Sequence, residues 1–205
     1  MGKLFLLCTR LARYESMMQE IPRFKDKHIF DYRYYGMLED VFGENSAEKL
    51  YKKIIEINGG DVYRMLFTDD RHKSRFNNFY KFAVKNGYEL IESNKNIAAI
   101  FLLSANEYLL EQGVIADDEL MTDKLDTHSD DEDVYDIYQA IRFILYGSDR
   151  LSIEDLAEPE IMKDSVVMLI TNAFIVNKYG IEVLKNSNNI KKKNSGRRNV
   201  RCYTQ

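Results

Sequence analysis

Two stretches of this chain are apolar on every side. Within 96–112, Ile97, Ala98, Ala99, Ile100, Phe101, Leu102 and Leu103 follow one another without a polar break. Within 160–179, Val166, Val167, Leu169, Ile170, Phe174 and Ile175 are almost as dense. A helix without a polar stripe has no face to offer water, so both stretches belong at the centre of a fold with other helices around them. The β-branched residues of the second stretch admit a strand. Its length, several times the usual strand of about five or six residues, favours a helix. Neither stretch holds the 18 or so unbroken apolar residues that a membrane span requires.

The remaining periodicity is helical and one-sided. Over 4–21 the apolar positions Leu4, Leu7, Cys8, Leu11, Tyr14 and Met18 recur at three and four, and Pro22 closes the segment. A short helix near 34–42 ends at Gly43, and Asn45 with Glu48 reads as a capping box opening a helix to Ile57. Leu50, Ile54 and Ile57 form its stripe, and Asn58-Gly59-Gly60 stops it. The oxygens of Thr68, Asp69 and Asp70 suit the start of another helix, with His72, Phe76, Phe79, Tyr80 and Ala83 on one face and Asn86-Gly87 at its end. Gly113 ends the first central helix. A helix over 133–146 turns Ile137, Tyr138, Ile141, Ile144 and Leu145 inward and ends at Gly147. Ser152 caps a short helix through Leu156, and Pro159 fits the first turn of the last long helix, which Gly180 ends. No Asn-Gly hairpin between alternating runs, no βαβ rhythm and no internal repeat interrupts this pattern. The expected fold is all-α, a compact helical bundle of about six to eight helices with two central apolar helices. Three parts are expected: an N-terminal helical extension over 1–60, a helical core domain over 61–184 with an acidic loop at 117–133, and a basic flexible tail over 185–205.

Charge is segregated along the chain. The segment 117–133 carries nine acidic residues, Asp117, Asp118, Glu119, Asp123, Asp126, Asp130, Asp131, Glu132 and Asp133, against one base, Lys124, for a net −8. The segment 185–201 carries seven basic residues and no acid, for a net +7. The whole-chain charge of −4 therefore hides two opposite patches. The acidic run reads either as a solvated loop whose last carboxylates cap the next helix, or as a surface that imitates phosphate spacing and occupies a basic groove on a partner. Its carboxylates with His128 also suggest a cation, but the Asp-x-Asp-x-Asp-Gly spacing of a calcium loop is absent. The tail, with Lys191, Lys192, Lys193, Arg197, Arg198 and Arg201 among Asn, Ser and Gly, reads either as a solubilising segment or as an arm on nucleic-acid phosphate. It can also fold back on the acidic run, in a docking that salt would screen.

Composition excludes several classes. With 45% hydrophobic and 30% charged residues, the 205-residue chain has enough apolar material for a core, so it is not disordered as a whole. The 2 cysteines, Cys8 and Cys202, lie near opposite ends and make no disulfide framework, and with 3 histidines they give no zinc spacing. Leu4 to Cys8 is too short for the apolar region of a signal peptide, and the residues after Gly2 do not fit a myristoylation signal. A cytoplasmic protein with reduced thiols is expected.

Chemistry-bearing constellations are sparse. There is no glycine-rich phosphate loop, nucleophile elbow or His-Glu-x-x-His motif. His72 reads as a helix-face histidine with Asp69 as its carboxylate neighbour; His28 and His128 have no evident partner set. Glu107, late in the first central helix, reads as a partly buried carboxylate that lacks a catalytic partner. Cys202 stands among cations that lower a thiol pKa, without a preorganised site. Phe30, Tyr32, Arg33, Tyr34 and Tyr35 are a cluster that either packs the first helices together or forms an aromatic binding surface. No catalytic residue, metal or cofactor is expected.

Two runs carry a resemblance: Leu66-Phe67-Thr68-Asp69-Asp70-Arg71-His72-Lys73-Ser74-Arg75-Phe76, and Ile97-Ala98-Ala99-Ile100-Phe101-Leu102-Leu103-Ser104-Ala105-Asn106-Glu107-Tyr108-Leu109. With Ala140-Ile141-Arg142-Phe143 and the last long helix, they make 62–180 resemble an uncharacterised family of small helical proteins from phages and mobile elements of low-GC bacteria. The resemblance implies a mobile-element context and brings no catalytic residue with it. Together these readings give a non-enzymatic accessory protein that binds a host protein or ribonucleoprotein, as an anti-CRISPR inhibitor of a nucleic-acid-directed defence would. The alternatives are a nucleic-acid-binding regulator using the basic tail, and a nuclease whose site is assembled from distant carboxylates and histidines.

Overall fold

A computed structural model describes residues 9–16, 32–57, 67–112, 114–116, 119–122, 125, 132–148, 151, 156 and 162–184. Residues 9–16 are helical and are called α1. They are followed by α2 (Tyr32–Phe42), α3 (Glu44–Ile57), α4 (Asp70–Asn86), a 3-10 turn (Glu89–Glu92), α5 (Asn94–Ala105) and α6 (Glu107–Gln112). Two short strands, β1 (Val114–Ala116) and β2 (Glu119–Met121), precede α7 (Glu132–Tyr146) and α8 (Asp164–Tyr179). The architecture is an all-α bundle with one small hairpin.

The two apolar stretches are its centre. Every residue of α5 from Ile97 to Ser104 is buried, as is every residue of α8 from Val166 to Val176. The two helices pack more extensively on each other than any other pair. Gly180, just past α8, lies against Asn94 at the start of α5, so they run antiparallel. α4 and α7 pack on α5, and α2 and α3 pack on α8. Tyr34, Leu38 and Phe42 of α2 belong to the same core cluster as Phe101 and Ile141, so the first helices share one interior with the rest.

Four local expectations are corrected. The first central helix does not run through to Gln112. It stops at Ala105, because Asn106 is extended (φ −116°, ψ 126°) and its Oδ1 accepts the backbone N–H of Leu109 at 3.2 Å, capping α6. The last long helix starts at Asp164 rather than near 160, with Lys163 extended before it. Asn45 opens no capping box. α3 begins one residue earlier at Glu44, because Gly43 adopts φ 79°, donates to Glu39 O at 3.0 Å and accepts from Ala47 N, ending one helix and starting the next. The segment after Gly113 forms the antiparallel pair β1–β2, registered Ala116 to Glu119. In sequence the two strands are separated by Asp117-Asp118 rather than by Asn-Gly, so no hairpin signal marked them. In α1, Tyr14 is buried but Leu11 is 43% exposed, so the apolar stripe turns inward only in part.

The other helix ends follow their signals. Asp69 caps α4 by accepting the His72 N–H at 2.6 Å, and Gly87 ends it in the left-handed conformation. Gly147 has φ 70° after α7. The stops expected at Asn58-Gly59-Gly60, the cap at Ser152 and the turn at Pro159 lie outside the described residues.

Gly180 gives a specific expectation. It holds φ 73° and ψ −167°, a region that residues with a Cβ scarcely enter, and a Cβ there would come within 2.6 Å of Asn94 Oδ1. The exposed Asn94 amide can swing away, so the backbone strain is the larger cost. Gly180→Ala should lower stability by about 1–3 kcal/mol, and adding Asn94→Ala should not restore it. Thermal unfolding of both variants measures this, and full rescue by the second substitution would assign the cost to the side-chain clash instead.

Candidate functional site

The acidic segment is held at both ends of α7. On one side, Thr122 Oγ1 and Tyr146 Oη, at the last residue of α7, are hydrogen-bonded at 2.9 Å. On the other, Glu132 and Asp133 form the first turn of α7 itself, where carboxylates suit the positive end of the helix dipole. A 15-residue helix is about 22 Å long, so the two anchors stand roughly 20 Å apart. Glu132 is exposed, and Asp133 Oδ1 pairs with Lys163 Nζ at 2.8 Å. One turn further on, the Asp136 carboxyl is pushed up, first by burial and then by the charges of Asp133 and Glu132, against the opposing effect of Lys163. Burial is the larger cause, and the carboxylates at the head of α7 add to it. Glu119 lies in β2. Asp117, Asp118, Asp123, Asp126, Asp130 and Asp131 fall outside the described residues, as do Lys191, Lys192, Lys193, Arg197, Arg198 and Arg201.

The aromatic cluster is not a surface at Tyr34 and Tyr35, which are 4% and 1% exposed. They lead the inward stripe of α2 that continues to Leu38 and Phe42. Tyr35 meets Tyr51 edge-on at 5.3 Å between ring centroids, and Tyr14 lies 6.0 Å from Tyr35, so three helices close around tyrosine rings. Tyr34 Oη donates to Asn172 Oδ1 of α8 at 2.8 Å, which explains a polar residue in the most buried helix. Burial pushes the Tyr34 hydroxyl far up, and it stays a donor. Tyr32 and Arg33 open α2, and Phe30 lies outside the described residues.

His72 lies on the inward face of α4 with Phe76 and Ala83 and is fully buried. Its Nδ1 lies 3.2 Å from the Thr68 N–H, which donates to it, so the ring proton is on Nε2 and is donated to Phe101 O at 2.9 Å. Burial lowers its pKa to about 4. Asp69 bonds the His72 backbone and caps α4. His72 is a neutral structural pin between α4 and α5. His28 and His128 lie outside the described residues.

Arg75, one turn further along α4, was not singled out from the sequence. Its Nε and Nη2 donate to Ser104 O and Ala105 O at 2.7 and 2.8 Å, satisfying carbonyls left over at the end of α5 and placing a cation at the negative end of that helix. Glu107, expected to be partly buried, has a side chain 73% exposed, because the break at Asn106 moves it out of the central helix. It approaches Arg75 Nη1 only to 3.9 Å. Also unforeseen is an ionic cluster on α1, α2, α3 and α8. Arg13 pairs with Glu39 at 2.9 Å and Glu44 at 2.7 Å, while Arg10 and Tyr179 bond Asp40. Burial pushes the Asp40 carboxyl up, but the bonds from Tyr179 and Arg10 outweigh it and hold it below the usual carboxylate range. Burial and the bond to Asp40 push the Tyr179 hydroxyl up to about 12. The only sequence signal was Arg10 and Arg13 one turn apart, which names no partner.

Among the described residues no helix is long and apolar enough to cross a membrane, and no group of three or more His, Cys, Asp or Glu side chains could hold a metal ion. Comparison with protein-family models, with curated proteins and with solved structures finds no match for this chain.

Proposed function

We propose that this chain is a non-enzymatic accessory protein of a phage or other mobile element. It occupies a basic groove of a host protein or ribonucleoprotein with residues 117–133, in the manner of an anti-CRISPR-type inhibitor of nucleic-acid-directed defence. One observation carries the reading. Six of the nine carboxylates, Asp123, Asp126, Asp130, Asp131, Glu132 and Asp133, lie in sequence between anchors that stand roughly 20 Å apart along α7, about one charge per 3–4 Å of that span and of the same order as a nucleic-acid strand. A basic groove that accepts phosphates accepts such a segment on the same terms. The mobile-element context rests on the resemblance carried by 66–76 and 97–109.

Capture of the full chain's partners from host lysate, with and without nuclease, tests this. A protein or ribonucleoprotein retained after nuclease is the expected result. Recovery of nucleic acid alone would replace this reading with a regulator that holds phosphate through Lys191, Lys192, Lys193, Arg197, Arg198 and Arg201. Turnover of RNA or DNA by the purified chain would remove the non-enzymatic reading.

A further inference from the structure

The break at Asn106 also makes a cleft. Where the chain leaves α5 for α6, a cavity of about 400 Å³ opens between α4, the end of α5, α6 and β2. Buried Ile100 and Leu103 underlie it, half-buried Leu110, Leu120 and Phe79 flank it, and Arg75 stands at its edge. A second, more open hollow adjoins it, sharing Arg75 and Asn78 and adding Asp70, Arg71, Ser74 and Glu107, two bases against two acids. The combination is an aliphatic pocket with one guanidinium at the border between the apolar and the wet side. Its volume lies within the roughly 300–1,000 Å³ usual for small-molecule sites.

We propose that this cleft binds a small monocarboxylate with an aliphatic tail, the carboxylate on Arg75 and the tail over Ile100, Leu103, Leu110 and Leu120. The charge argument comes from how Arg75 is used. Two of its nitrogens are committed to the α5 carbonyls, which fixes the guanidinium plane. The third, Nη1, has Glu107 at 3.9 Å, beyond hydrogen-bond reach, on a side chain 73% exposed to water. The guanidinium is therefore rigidly placed, partly withdrawn from water and matched only loosely by its nearest carboxylate. A ligand carboxylate at about 2.8 Å would make the charge-assisted bond that Glu107 does not. A neutral amphiphile gains only the apolar contact, and a cationic one meets Arg75, among the described residues the one charged group lining the cleft itself, since Asp70 and Glu107 face the adjoining hollow. The site shares Leu120 with the 117–133 segment but uses none of its carboxylates, and it does not rest on the function proposed above.

The test is a titration of the full chain with octanoate, octanol and octylammonium, followed through the methyl resonances of Leu103, Leu110 and Leu120. Octanoate should shift these methyls and bind roughly tenfold or more tightly than octanol, and octylammonium should leave them unmoved. Glu107→Gln, on an exposed side chain, removes the competing carboxylate and should tighten octanoate severalfold. Arg75→Gln can weaken the end of α5, so Glu107→Gln is the deciding variant. Octanol binding as tightly as octanoate, an unchanged affinity in Glu107→Gln, or shifts at exposed Phe82 and Val84 instead of the cleft would each overturn the proposal.

Discussion

Leu102→Asp and Leu169→Asp should each abolish the cooperative unfolding transition. Both leucines sit on the central antiparallel pair, and neither is more than 3% exposed. Truncating a buried leucine alone costs about 2–5 kcal/mol. The incoming carboxyl must then either stay ionised without a partner or take up a proton and remain unsatisfied, and either course costs several kcal/mol more. A domain of this size holds only about 5–15 kcal/mol in total. Two controls separate this from a general intolerance of change. Leu102→Met preserves volume and should cost less than about 1.5 kcal/mol. Glu132→Gln, exposed at the head of α7, should leave the melting temperature nearly unchanged. Denaturant unfolding followed by far-ultraviolet circular dichroism reads all four. A parent-like midpoint in Leu169→Asp would mean that α8 is not the centre of the bundle.

The second large effect is on acid stability, through His72. Its folded pKa is lowered from 6.5 to about 4. Above pH 6.5 the ring is neutral in both states and contributes no pH dependence. Between about 6.5 and 4 the unfolded chain takes up a proton that the folded chain refuses, so folding loses stability as the pH falls. The loss over that window is about 3 kcal/mol. The cause is geometric as well as solvational. Protonating Nδ1 would set a new N–H against the Thr68 N–H that now donates to it. His72→Gln keeps a donor within reach of Phe101 O and cannot titrate, so its stability should fall less steeply than the parent's between pH 6.5 and 4. Parallel pH profiles for the two would show that His72 accepts a proton in place.

The sequence made the interior legible where chemistry and periodicity were both local. The all-round apolar runs of α5 and α8 admit no other location, and the caps at Asp69, Gly87 and Gly147 act within a few residues of themselves. It was misleading at Asn106, because Leu109 and Leu110 continue the apolar spacing beyond the break and only one side-chain cap marks it. Tyr34 and Tyr35 were open to two readings because a tyrosine suits a core and a surface alike. Their spacing to Leu38 and Phe42 held the answer, three to eight residues away. The site features were less legible than the fold. Arg75 reaches carbonyls 29 and 30 residues along the chain, and Arg10 reaches Asp40 across 30, and no local pattern names such partners. The acidic segment could be counted from sequence. Its anchor at the head of α7 was legible too, in the carboxylates that open that helix, but the bond between Thr122 and Tyr146 was not, because it depends on how β2 and α7 pack.

That anchored negative segment is the central claim, and its most direct test is kinetic. The partner retained after nuclease treatment is immobilised, and association rates are measured at low and at physiological salt. The parent chain is compared with Asp130→Asn/Asp131→Asn/Glu132→Gln/Asp133→Asn and with a variant neutralised at Lys191, Lys192, Lys193, Arg197, Arg198 and Arg201. Electrostatic steering raises association by about 10-fold or more at low salt and is screened within about 8 Å at physiological ionic strength. The acidic variant should therefore associate about tenfold more slowly at low salt, with the difference narrowing as salt rises, while the tail variant associates as the parent does. A tail variant that loses binding, or an acidic variant indistinguishable from the parent at both salts, would contradict the account.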